Sequence, residues 1–286
     1  MADGVFLAAQ TGVPAFWEAW KGALAYTFQI YFDFSGYTDM AVGIALLFGI
    51  RLPMNFNSPY KAVSIIDFWR RWHMTLSRFI RDYVYIPLGG GRAGKSRRYV
   101  NLMLAMLIGG LWHGAGWTFV IWGGLHGLYL IINHGWRRFG PKSAQPGLVS
   151  VWSGRILTFL AIVVAWVFFR ADDIGDATRV LTGMSGFGEG GLFAARAQDV
   201  MVLAVMFLIV WFTPNSCEMF RSVKPVLMPD SDADAETPVV AGAHLLAVLR
   251  LKYYALTPLL IAIGLVGLLI VIDGGEQSQN FIYMIF

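Results

Sequence analysis

The sequence predicts an all-α integral membrane protein: several spanning helices, some of them short or re-entrant, and one amphipathic helix lying in the membrane interface. Three observations predict it. Of the 286 residues, 57% are hydrophobic and only 14% charged, with a mean hydropathy of +0.57, outside the range of soluble globular domains. Apolar stretches recur along the chain, but most are roughly 14–20 residues long, where a helix needs about 20 to cross the hydrocarbon at full thickness. Lysine and arginine gather beside those stretches, so the net charge of +4 answers to anionic lipid and cytoplasmic loops and not to nucleic acid. Cys217 is the single cysteine, which excludes an internal disulfide framework and a cysteine-rich zinc site. The five histidines include no HxxxH or HExxH pair, so no metal is expected. Asp3 and a mixed sequence follow Met1, without a basic n-region, so no cleavable signal peptide is expected.

In chain order, residues 22–50 read as one or two helices, broken at residues 33–36 (DFSG), with Asp33 and Asp39 at the mouth of an apolar span, where helix capping around Ser35 and Gly36 is favoured over a functional role. RLPMNFNSPYKA, with Pro53 and Pro59, reads as a loop. Residues 64–85 read as one helix. At about 100° per residue, Trp69, Trp72, His73, Leu76, Phe79, Ile80 and Tyr83 fall within an arc of about 120°, with Arg70, Arg71, Arg78 and Arg81 opposite. Such a helix lies along the interface, basic side toward headgroups. Residues 99–134 form two apolar runs joined at GGLWHGAGW, with basic segments on both flanks, Lys61 to Arg98 and Arg137 to Arg155. Both flanks are cytoplasmic by the positive-inside rule, so the interval between must go in and come back. Its ~36 residues supply about 54 Å of helix, barely two thin crossings, which sets the break and His113 deep. Runs at 156–169, 200–213 and 254–272 are single-span candidates. The acidic interval 171–199 suits the far side, and 228–238 (MPDSDADAETP) reads as a solvated loop.

His113 is the first functional candidate, because an ionisable residue inside a span is costly. Against that stands a histidine hydrogen-bonded across helices, a common use of polar residues in membranes. A neutral imidazole can serve as general base toward a hydroxyl, and the neighbouring glycines let backbones or a substrate approach closely. GxxxG at Gly110–Gly114 and Gly123–Gly127 reads as helix packing within one chain. His73 is the second candidate, weighed against a ring packed among aromatics, whereas His126, His134 and His244 read as structural. GGGRAGKS (89–96) satisfies GxxxxGK[ST], but a phosphate-binding loop needs a sheet before it and a magnesium-binding Asp after it, and neither is indicated.

The stretches IYFDFSGYTDMAVGIALLFGI, NFNSPYKAVSIIDFWRRWHMTLSRFIRDYVYIPLGGGR and NLMLAMLIGGLWHGAGWTFVIWGGLHGL, with WVFFRADDIGDA and NFIYMIF, resemble the membrane-bound O-acyltransferase family, in particular its alginate O-acetyltransferase branch. The resemblance runs from about Tyr26 to Phe286. It implies many helices around a tunnel in the bacterial inner membrane, and transfer of acetyl from a cytoplasmic donor, acetyl-CoA, toward an exported polysaccharide or a periplasmic acetyltransferase partner. No bound cofactor is implied. The family's essential histidine, in LWHG, matches His113, and its second, in WRRWH, matches His73. Trp69, Arg70, Arg71, Trp72, Asp82 and Trp112 match the surrounding motifs and are expected in supporting roles. Members carry further spans before the region where this chain begins, so residues 1–286 are expected to be one membrane domain forming the C-terminal part of a longer chain, the alternative being a shortened member of the family. A transporter or channel subunit with a proton-relaying histidine, and a scaffold for soluble acetyltransferases, are the rival readings.

Overall fold

The computed structural model describes residues 1–92, 94–139, 147–188 and 196–219, and every regular element among them is helical. The expected span at 254–272, the acidic loop at 228–238, His244 and the terminal NFIYMIF lie outside the described residues. Ten α-helices are described. They are α1 (Ala2–Ala9), α2 (Phe16–Leu47), α3 (Ile65–Trp69), α4 (Met74–Ile80), α5 (Lys95–His113), α6 (Trp117–Phe139), α7 (Leu148–Arg170), α8 (Ile174–Met184), α9 (Ala197–Phe212) and α10 (Ser216–Met219).

The expected pair around GGLWHGAGW is present as α5 and α6, an antiparallel hairpin that turns at residues 114–116. Glycines set its spacing. A methyl group on Gly110 would strike the Phe119 carbonyl, one on Gly123 the Met106 carbonyl, and one on Gly127 would lie 2.7 Å from the Met103 sulfur. The two GxxxG motifs therefore serve packing within the chain, as expected. Asn101, fully buried on α5, donates from Nδ2 to the carbonyls of Leu88 and Gly90, 3.0 Å each, and so ties the glycine loop down. A π-helical turn, Arg81–Tyr85, precedes that loop where a phosphate-binding loop needs a strand.

Two expectations for local structure are corrected. Residues 22–50 do not break at 33–36: α2 runs through them without interruption. One interior glycine costs a helix about 1 kcal/mol, too little to end 32 residues that pack on α1, α7 and α8. Thr38 returns its hydroxyl to the Ser35 carbonyl at 3.0 Å, and Asp39 accepts from Ser216 Oγ at 2.7 Å. Asp33 and Asp39 are thus interior to the helix and cap nothing.

Residues 64–85 are not one amphipathic helix. Ser64 caps α3 by accepting from the Asp67 N–H, but the helix ends at Trp69 and restarts at Met74, with His73 between them in the left-handed region (φ 42°, ψ 56°). The cause is tertiary. The Asn57 N–H donates to the Arg71 carbonyl at 2.9 Å, and the Met74 N–H donates to the Asn55 carbonyl at 3.0 Å, so the backbone here bonds to the preceding loop. The projected aromatic stripe is split accordingly. Trp72, Leu76 and Ile80 are buried, whereas Phe79 and Tyr83 are exposed.

α7 supplies the centre of the core, with Ile162, Val163, Ala165, Trp166 and Val167 all buried. It is the one helix among the described residues long and apolar enough to cross a membrane; α9 is apolar but shorter, at 16 residues. Tyr60 joins three elements: its hydroxyl donates to the Thr27 carbonyl of α2 at 2.6 Å and accepts from Trp166 Nε1 of α7 at 3.1 Å. Within the acidic interval, Asp173 caps α8, whose Ala177, Val180 and Met184 face inward, and the buried Asp176 pairs with Arg179.

Enlarging a glycine at the hairpin contact is expected to destabilise the protein. Gly123→Leu should lower the thermal unfolding midpoint in detergent by the equivalent of about 1–3 kcal/mol, the cost of overpacking. Gly135→Ala, also on α6 but with open space around it, should leave the midpoint unchanged or raise it. Equal effects of the two would refute the close-contact account.

Candidate active site

His113 is the last residue of α5, half-buried where the hairpin turns. Its ring has Trp112 on one side at 5.0 Å between centroids, and meets Trp122 edge-on at 5.2 Å and Phe169 at 5.0 Å. Trp122 is the hub of this arrangement. It touches His126 at 4.7 Å one turn further along α6, and Trp166 and Phe169 of α7 at 5.9 and 5.2 Å. The contacts of Trp122 with His113, His126 and Phe169 are edge-to-face, an arrangement that aromatic pairs favour.

His126 is completely buried, and its Nδ1 accepts from Trp69 Nε1 at 3.2 Å. That bond pins α3 to α6 and fits the structural role expected of His126. His134 likewise meets the Arg98 guanidinium at 3.0 Å, between the outer ends of α5 and α6. Trp72 is also buried, stacked on Phe68 at 5.6 Å and packed against Trp166 and Phe56 at 4.9 Å each. Trp69 and Trp72 thus act through packing, with Trp69 adding one hydrogen bond.

His73 sits at the break between α3 and α4. Its ring meets Phe34 of α2 edge-on at 4.8 Å and stacks over Phe56 at 6.5 Å, and its Nδ1 lies 3.1 Å from Asn55 Oδ1. From Phe56 the rings of Trp72, Trp166 and Trp122 continue to His113. The two candidate histidines therefore belong to one continuous aromatic layer, although 40 positions of sequence separate them.

The remaining expected residues divide. Trp112 is in ring contact with His113 and mostly exposed. Arg71 is held by Asp67 at 2.8 Å and also donates to the Asn57 carbonyl at 3.3 Å, which steadies the loop beside His73. Arg70 is exposed. Asp82 is exposed as well, and the adjacent Arg81 guanidinium, bonded to both its oxygens at 2.7 and 3.1 Å, holds its carboxyl below the usual range. Neither joins the ring layer. Lys61, counted among the basic flank, donates to the Thr213 carbonyl at 2.6 Å, and burial pulls its ammonium pKa down. Asn55, Trp122 and Phe169 join the site although nothing within the family-like stretches that contain them singles them out. A buried asparagine in a loop leaves no periodic signal, and the two aromatics look like any other apolar residue of a span.

The family model described as "MBOAT, membrane-bound O-acyltransferase family" matches residues 8–170, more than half of the chain, and that interval contains both histidines and the whole ring layer. The chain belongs to the membrane-bound O-acyltransferase family. Among relatives, it is 46% identical over 234 residues to a peptidoglycan O-acetyltransferase of Helicobacter pylori, a match covering 73% of this chain and 43% of the relative. It is also 46% identical over 198 residues to a protein of Azotobacter vinelandii named "Probable alginate O-acetylase AlgI", covering 69% of this chain and 38% of the relative. A teichoic acid D-alanyltransferase of Streptococcus thermophilus is 38% identical over 162 residues, covering 50% and 39%. The chain thus spans less than half the length of these acyltransferase relatives.

The Trp69 to His126 hydrogen bond is open to direct test. Trp69→Phe keeps the ring but strands His126 Nδ1 in the core, and it should cost about 1–3 kcal/mol of stability, read as a lower unfolding midpoint. Asp82→Asn, which removes only an exposed pairing, should leave the midpoint in place. A Trp69→Phe protein as stable as the parent would refute the role given to this bond.

Proposed function

We propose that this chain is the acyl-transferring part of a multi-pass bacterial inner-membrane O-acetyltransferase, with acetyl-CoA as cytoplasmic donor and an exported glycan hydroxyl or a periplasmic acetyltransferase partner as acceptor. The observation that carries the reading is His113. An imidazole at the end of a helix, walled by Trp112, Trp122 and Phe169, stands at the turn of a hairpin inside the matched family region. The relatives named for acetylating peptidoglycan and alginate support acetyl as the transferred group and a glycan as the acceptor. The D-alanyl-transferring relative supports a shared acyl chemistry with variable acyl group and acceptor.

In this mechanism His113 is the general base. It takes the proton of the acceptor hydroxyl as that oxygen attacks the thioester carbonyl; the C–O bond forms, the C–S bond breaks, and the imidazolium returns the proton to the leaving thiolate. The products are an acetyl ester and a free thiol. The transient imidazolium stands at the C-terminal end of α5, where the helix dipole favours positive charge. Trp122 and Phe169 cover the ring on its buried side, where they shield the reacting groups from water that would hydrolyse the thioester. His73, on the same ring layer, orients substrate or steadies charge. The spanning segments are α2, the α5 and α6 hairpin, α7 and α9, with residues 65–85 near the interface. Nothing among the described residues favours a transporter or a non-catalytic scaffold.

His113→Ala, introduced at the native locus, should abolish glycan O-acetylation, a loss on the order of 100-fold or more for removal of a general base, with protein levels in the membrane unchanged. Normal acetylation in that strain would overturn the assignment.

A further inference from the structure

We infer that Asn55 is a positioning residue that locks His73 in the tautomer with its proton on Nδ1, leaving the Nε2 lone pair as the reactive face. The inference rests on the proposed acyltransferase reading only for its consequence in catalysis. The tautomer itself follows from hydrogen bonds.

Asn55 is buried, and its side-chain oxygen accepts from the Thr75 backbone N–H at 3.2 Å and from the Thr75 hydroxyl at 2.9 Å. A backbone N–H can only donate, so the atom facing it must be the amide oxygen; turning the amide over would set two donors against each other. The same oxygen lies 3.1 Å from His73 Nδ1. An unprotonated Nδ1 there would place two lone pairs face to face, so Nδ1 carries the hydrogen and donates it. Thr75 Oγ1, 3.4 Å from Nδ1, has spent its own proton on Asn55 and offers Nδ1 only a lone pair. Neutral imidazole has one N–H, and Nε2 is therefore the acceptor.

The backbone is built to hold this arrangement. His73 occupies the left-handed region, unusual for a residue with a side chain, and the bonds from Met74 N–H to the Asn55 carbonyl and from Asn57 N–H to the Arg71 carbonyl fix it there. Phe34 and Phe56 restrict the ring from its other sides. Nε2 can accept a hydrogen bond from an acceptor hydroxyl or take up a proton, whereas the opposite tautomer could only donate there. The role of His73 is thus fixed by a residue 18 positions earlier.

The tautomer is read by nitrogen NMR of the protein carrying 15N-histidine in lipid bilayers at neutral pH, with the His73 signals identified by their loss in His73→Gln. The expected result is a protonated Nδ1 and a bare Nε2; a protonated Nε2 with bare Nδ1 would overturn the inference. In cells, Asn55→Ala should lower glycan acetylation on the order of 10–100-fold, as loss of an orienting partner does, while Asn55→Asp, which keeps the acceptor oxygen, should restore most of it. Wild-type acetylation in Asn55→Ala, or equal loss in both variants with a normal amount of protein, would also overturn it. If Asn55→Ala does not accumulate, the wild-type tautomer decides. Failure of the acyltransferase reading shows separately, as unchanged acetylation in His113→Ala.

Discussion

The close approach of α5 and α6 is the contact on which the rest depends. Three glycines remove the side chains that would hold the helices apart, so the Met106 and Phe119 carbonyls take the space a methyl group would fill. In lipid there is no hydrophobic gain in bringing two apolar helices together, and tight backbone packing of this kind supplies the association instead. Because the helices are antiparallel and joined by residues 114–116, the contact also fixes where their ends lie. It puts His113 at the turn and aims Trp122 and His126, one helical turn apart, at the same neighbours on α3 and α7.

Around that hairpin the side chains form a layer of rings with few polar atoms. Trp166 and Phe169 of α7 close it from one side, and Trp69 and Trp72 from another. Two indole N–H groups inside it bond across elements. Trp69 Nε1 satisfies His126 Nδ1, and Trp166 Nε1 donates to Tyr60, whose own hydrogen goes to the Thr27 carbonyl. Each bond links two elements distant in sequence, and each would leave a stranded buried group if broken, so they specify which face of α3 and α7 meets the hairpin.

His113 and the hairpin were legible in the sequence because a polar residue among glycines between two apolar runs is costly in lipid unless it is used, and the motifs around it carry the family resemblance. Residues 64–85 were not legible in the same way. The 3.6-residue periodicity there is real, but it assumes an unbroken helix, and the hydrogen bonds that break it come from residues 55–57. Residues 33–36 misled in the opposite direction: Ser35 and Gly36 look like a stop, yet the serine carbonyl is answered within the helix and α2 continues to Leu47. Asp82 illustrates a third case. It lies in a matching motif, but its nearest partner is the adjacent Arg81 at the surface, and it stands apart from the ring layer.

The sequence by itself determined the helical class and the hairpin with its glycine contact, and it put His113 and His73 forward as candidates. Those are local matters, set by composition, by glycine placement within a single pair of adjacent helices, and by short motifs. Only the tertiary structure decided that His73 stands in a left-handed break, that Asn55 faces its Nδ1, and that one ring layer runs from it to His113. Those depend on hydrogen bonds and ring contacts between segments 18 to about 100 positions apart, and no periodicity along a single chain encodes which of many aromatic residues will meet.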